Sequence, residues 1–184
     1  MFERLLERLA LAFDGIGLPY MIIGGQAVLL YGEPRLTKGI DLTIGADLSR
    51  LPDILRLVQH IELKPLVDPE TFTRQTMVLP CVDPSSGIRV DVIFSSTPYE
   101  QQALARVQVV KMGKAEVRFA SLEDLPVHKV IAGRPRDLED VRTLLVKNPH
   151  ADLAYVRRWL SEFSATVGEP LLTRFNQITE PIQP

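Results

Sequence analysis

The chain has 184 residues, and 21 Lys or Arg against 23 Asp or Glu give it a formal net charge of -2. It therefore has no global pull toward nucleic acid, and any contact with a polyanion must come from a local patch. A hydrophobic content of 46% excludes a disordered chain, and the length suffices for one good core with a small helical appendage.

In chain order, Leu5, Leu6, Leu9 and Phe13 fall on one face of an opening helix that ends near Gly15 to Gly17. Met21, Ile22 and Ile23 then run straight into Gly24 and Gly25, and the apolar stretch resumes over Ala27 to Tyr31. This is a strand, a tight turn and a helix. Glycine at such a turn lets the backbone take positive φ and approach a ligand, and the amides that open the helix form an anion site. Taken alone, the glycine pair reads equally as a simple turn.

The next strand, Ile40 to Ile44, alternates, so Gly39, Asp41 and Thr43 share one side. Leu48 to Ile61 is predicted helical, with Leu51, Ile54, Leu55 and Val58 as its buried stripe, and Pro65 and Pro69 mark a loop. Thr76 to Val82 and Ile88 to Phe94 form a predicted hairpin about Asp83-Pro-Ser-Ser-Gly87. In its second strand Val90, Val92 and Phe94 face one way and Arg89, Asp91 and Ile93 the other. Aspartate is depleted in strands, so Asp91 needs compensation. By itself it is a polar residue on a solvated face; with Asp41 as neighbour it becomes a functional acid.

Pro98 to Ala105 suits a short helix, and Val107 to Val110 and Val117 to Ala120 suit strands about Gly113. Ser121 with Asp124 resembles a cap before the helix that carries Lys129. Asp137 to Val146, a helix capped by Asp152 and ending at Phe163, and Leu171 to Ile178 complete four candidate helices, and the tail from Glu180 is expected to fray. Tyr155, Trp159 and Phe163 read as core. The expectation is one α+β domain over residues 1–184, with a mixed β-sheet flanked by helices over about 1–120 and a helical C-terminal portion over about 121–178.

Two acids two residues apart on one strand face would aim both carboxylates at one magnesium ion, a hard cation that bridges nucleotide phosphates. Here the earlier position is Gly39 and only Asp41 remains. From His128 to Arg158 there are seven Lys or Arg against four acids, an excess that faces either triphosphate or RNA, or forms a solvated surface of ion pairs. The histidines are scattered without metal-ligand spacing. Cys81 is the single cysteine, which excludes an internal disulfide and a cysteine-rich zinc site and suits a reducing cytoplasm. No apolar run approaches the roughly eighteen residues needed to span a bilayer, and the start of the chain lacks the shape of a signal peptide, so a soluble, cytoplasmic protein is expected.

With Gly24-Gly25, Arg35-Leu-Thr37-Lys-Gly-Ile-Asp41, Asp91, Glu123-Asp124-Leu125, Lys129 and Ala132-Gly133-Arg134-Pro-Arg136-Asp137 followed by Asp140, the chain resembles the nucleotidyltransferase superfamily over residues 20 to 145. It looks most like the bacterial AbiEii toxin-like group. Position by position, the resemblance puts Gly39 at the first metal acid, Asp41 at the second and Asp91 at the third. It implies phosphate binding at Gly24 and Gly25, nucleotide contacts or charge balance from Arg35, Thr37 and Lys129, and a catalytic set of Asp41, Asp91 and Lys129. The implied reaction moves a nucleoside monophosphate from a nucleoside triphosphate to an acceptor hydroxyl with Mg2+. The acceptor would be RNA such as a transfer RNA end, a protein or a small molecule, and an antitoxin would be the partner. Gly39 predicts nucleotide binding with weakened transfer; the alternative is an inactive nucleotide- or partner-binding regulatory module.

Overall fold

The computed structural model of the protein describes residues 1–33 and 36–180. The opening leucines form α1 (Phe2–Gly15), which buries Leu5, Leu6, Leu9 and Phe13. β1 (Tyr20–Ile23) is buried along its whole length and runs directly into α2 (Gly24–Tyr31). β2 (Gly39–Gly45) follows, then a 3-10 turn at Leu48–Arg50 and α3 (Leu51–His60), whose Leu51, Ile54, Leu57 and Val58 are buried.

β3 (Lys64–Pro65) is a two-residue edge strand. Beyond it the expected loop is partly a helix, α4 (Pro69–Thr76). Pro69 sits in its first turn, where a missing N–H costs nothing, and the Asp68 carboxylate accepts from the Thr71 amide. Only Thr73 of this helix is buried, so no apolar stripe announced it.

β4 (Val78–Val82) and β5 (Arg89–Ser95) make the expected hairpin. Its turn is tied to α1 by the buried Asp83, which accepts from Arg8 Nη2 at 2.6 Å, Ser85 Oγ at 2.8 Å and Ser86 Oγ. α5 (Pro98–Ala105), β6 (Gln108–Met112) and β7 (Ala115–Phe119) complete the sheet region. The last elements are α6 (Asp124–Ala132), α7 (Pro135–Lys147), α8 (Leu153–Val167) and α9 (Leu171–Thr179). Ser121 Oγ accepts from the Asp124 amide and donates to its carboxylate, the local device that starts α6. The expectation of a frayed tail falls mainly on residues 181–184, outside the described residues.

Among the described residues the sheet has seven strands in the order β3-β4-β5-β2-β1-β7-β6. β2 and β5, like β1 and β7, pair parallel and the other neighbours pair antiparallel, so the sheet is mixed, as expected. Alternation along β1 divides the interior into two cores. Tyr20 and Ile22 pack with α1, α3 and the inward residues of β2 and β5, while Met21 and Ile23 pack with α5 and the C-terminal helices. In the second core Trp159 meets Tyr99 edge-on at 5.1 Å, and Phe163 also stands edge-on to Tyr99 at 5.2 Å.

Candidate functional site

β1 delivers the chain to a turn at which Gly24 takes φ +65°. A Cβ built there would overlap the Asp41 carboxylate, with Cγ at 2.8 Å and Cβ at 3.1 Å. Glycine is thus required twice, by the left-handed backbone and by the approach of Asp41. Because α2 begins at Gly24, its first amides have no intrahelical acceptor and suit an anion. Gly25 lines a cavity of about 530 Å³, together with Thr37, Lys38, Gly39, Asp41, Arg89 and Asp91.

Asp41 and Asp91 are register partners on the parallel strands β2 and β5, and both line this cavity. Neighbouring strands lie about 4.8 Å apart, so the carboxylates stand side by side. Burial pushes the Asp41 carboxyl above the ordinary carboxylate range and the charge of Asp91 pushes the same way, while Lys129, Arg134 and Arg89 pull it back.

Two residues earlier on the same face, Gly39 is the register partner of Arg89. A Cβ at Gly39 would stand 2.9 Å from the Arg89 carbonyl oxygen and 3.4 Å from its Cβ. The strands approach so closely here that any side chain at position 39 requires β2 or β5 to shift. Arg89 folds back along its own strand, and its Nε donates to both Asp91 oxygens, at 2.8 and 3.0 Å.

The far wall comes from the start of α7 and the turn before it. Arg134 Nε donates to Asp137 Oδ2 at 2.5 Å, and Arg136 Nη2 donates to the Leu36 carbonyl at 3.2 Å. Lys129 lies behind this wall, with Nζ 2.9 Å from Asp137 Oδ1 and 2.7 Å from Asp140 Oδ2, and with 4% of its side chain exposed. It reaches Asp41 by charge alone, without lining the cavity. Burial raises the Asp137 carboxyl, but bonds from Arg134 and Lys129 outweigh it and leave the group below its usual value. Thr37 accepts from Gln26 Nε2 at 2.8 Å, which ties the segment before β2 to α2. Arg35 lies outside the described residues.

Sequence reasoning placed Arg89 on the Asp91 face but gave it no role, and Lys38 and Gln26 were also passed over. The available signal was an arginine two residues from an acid on a strand whose other face is wholly apolar. Burial pushes the Cys81 thiol up to about 12, so it is no nucleophile.

The mixed sheet thus carries a strand, diglycine turn and helix beside paired acids on adjacent parallel strands. The chain belongs to the family described as nucleotidyltransferases of unknown function, DUF6036, whose model matches residues 3–169. Among solved structures it resembles the antibiotic-resistance factor ANT(2'')-Ia, at 15% identity over 91% of this chain and 93% of that one, with a TM-score of 0.62. An antigenic nucleotidyltransferase-like protein from Paracoccidioides brasiliensis is similar at 16% identity, 94% and 92% coverage and a TM-score of 0.55. A lincosamide antibiotic adenylyltransferase solved with lincomycin matches at 15% identity, 78% and 96% coverage and a TM-score of 0.53. At these identities the likeness establishes the fold. No curated protein matches the chain at a significant level. Among the described residues no helix is long and apolar enough to cross a membrane.

Proposed function

We propose that the cavity binds a nucleoside triphosphate and that the chain transfers its nucleoside monophosphate to an acceptor hydroxyl at a restrained rate. The observation that carries this is the pairing of Asp41 with Asp91 beside the Gly24 turn. The amides of Gly25 and Gln26 would hold phosphate oxygens, with Thr37 completing the contact. The acceptor oxygen attacks the α-phosphorus, the bond from that phosphorus to the oxygen bridging to the β-phosphorus breaks, and pyrophosphate leaves. The hydroxyl proton needs a base, and the Asp41 carboxylate would take it. Lys129 acts on Asp41 from behind the wall, holding its charge in balance.

For a divalent ion the donor set is incomplete. Among the described residues no group of three or more His, Cys, Asp or Glu is placed to hold a metal, and Arg89 already occupies Asp91. Asp41 and Asp91 suit at most one Mg2+, delivered with the triphosphate, which would neutralise charge on the phosphates. Gly39 leaves the acceptor side without a carboxylate, which is why the rate is restrained.

An RNA acceptor, such as a transfer RNA end, and a toxin role with an antitoxin partner extend this proposal. The test is an α-labelled triphosphate incubated with a panel of RNA, protein and small polyhydroxyl acceptors. Label transfer that disappears in Asp41→Asn supports the proposal. Transfer that Asp41→Asn leaves untouched refutes it, and tight binding without any transfer favours the inactive regulatory module.

A further inference from the structure

Four cationic side chains, Lys38, Arg89, Arg134 and Arg136, line the cavity against the three carboxylates of Asp41, Asp91 and Asp137. Asp137 is already engaged by Lys129 and Arg134. A carboxylate site built around metal works the other way: its acids outnumber its cations and need the ions to remain charged together. Here the protein carries its own compensation.

Arg89 is the centre of that arrangement. It stands opposite Gly39, where an acid is missing, and its Nε takes both oxygens of Asp91. Among the described residues no hydrogen bond uses its terminal nitrogens, and 56% of the side chain is exposed against 21% for Asp91. Guanidinium groups match the oxygens of phosphate in a planar fork, so one that holds Asp91 through Nε can present its remaining N–H groups to a second anion. The pairing of Gly39 with Arg89 in the strand register sets the root of this side chain beside the cavity.

We infer that Arg89 is a built-in counter-cation, and that the cavity binds the triphosphate of its nucleotide without a divalent ion. This rests on the proposal that the cavity takes a nucleoside triphosphate, and it concerns the binding step only. Arg89 supplies at Asp91 the positive charge that an ion otherwise supplies, and the terminal nitrogens of Arg89, with Arg134 and Lys38, receive the phosphate oxygens.

The experiment is calorimetric titration of the four common nucleoside triphosphates in excess EDTA and in excess Mg2+. For the wild-type chain the two dissociation constants for the preferred nucleotide are expected to agree within about threefold. Arg89→Met is expected to weaken the EDTA value at least about tenfold and to create dependence on Mg2+, whereas Arg89→Lys keeps part of the metal-free affinity because it keeps the charge. Melting curves of both variants, expected to overlay the wild type, separate lost binding from lost folding. Wild-type binding that appears only with Mg2+, or metal-free binding indifferent to Arg89→Met, overturns the inference and leaves the proposed function standing. Failure of every nucleotide to bind under both conditions removes the proposed function and the inference together.

Discussion

Two clusters of cations and carboxylates border the same cavity, and they are built in opposite ways. Behind the wall, Lys129 lies between Asp137 and Asp140, with 4% of the lysine side chain and 6% of Asp137 exposed. On the floor, Arg89 and Asp91 share one strand face with more than half of the arginine exposed. A buried set loses heavily when one member is removed, because the others are left charged and desolvated. A pair whose cation is mostly in water, as Arg89 is here, is worth less to the fold and can exchange partners at a smaller cost. The first cluster therefore holds α6 against α7 and keeps the wall in place, and the second is available to a ligand.

That contrast is sharpest in the expected sizes of five effects. Lys129→Met should be the most damaging, costing about 3–5 kcal/mol in urea unfolding, since two buried carboxylates lose their shared cation. Asp83→Ala should cost about 2 kcal/mol by the same measurement, because Arg8, Ser85 and Ser86 all lose one acceptor.

Asp83 also sets an acid limit. Burial raises its carboxyl, but bonds from Ser86, Arg8 and Ser85 outweigh this and hold it at about 2, below the ordinary 3.8. A depressed folded-state value gives stability that is complete above the unfolded value and disappears as pH falls through the folded one. Stability should accordingly drop between about pH 4 and about pH 2, and Asp83→Asn should flatten that part of the profile. A profile unchanged in the variant would place the acid limit elsewhere.

Gly39→Ala should cost about 1 kcal/mol for crowding against the Arg89 carbonyl, although its backbone is not left-handed. Gly39→Asp carries the same cost, so transfer by that variant has to be read beside its melting temperature. A gain in transfer despite the crowding would show that the position accepts an acid. Arg89→Met should be the mildest, within about 0.5 kcal/mol of wild type. If it instead destabilises as much as Lys129→Met, the distinction between the two clusters fails.

Much of this was legible in the sequence, and what was not has a physical cause. Period-two alternation in Ile40–Ile44 and Ile88–Phe94 was enough to put Asp41 and Asp91 on defined strand faces, because each strand buries one side completely. Their direct register was not legible, since it is set by how β2 and β5 pair across a long separation in the chain. Ser121 and Asp124 announced α6 through a local bond, whereas α4 escaped because it has no apolar stripe, Thr73 being its one buried residue. Lys129 read as a catalytic and nucleotide-contacting residue, whereas its engagement with Asp137 and Asp140, which keeps it behind the wall, depends on how α6 meets α7. Glycine at position 39 read as an absence; only the strand spacing reveals that the backbone opposite leaves no room for a Cβ.

The chain's one tryptophan, Trp159, is packed against Tyr99 in the core formed with the C-terminal helices, while the cavity is lined from β2, β5 and the start of α7. Its fluorescence will report the melting of the helical layer and remain dim to events among the phosphate-facing arginines. An optical signal for ligand capture must come from a labelled nucleotide, whose emission, set against that of the indole, separates occupancy from unfolding in a single sample.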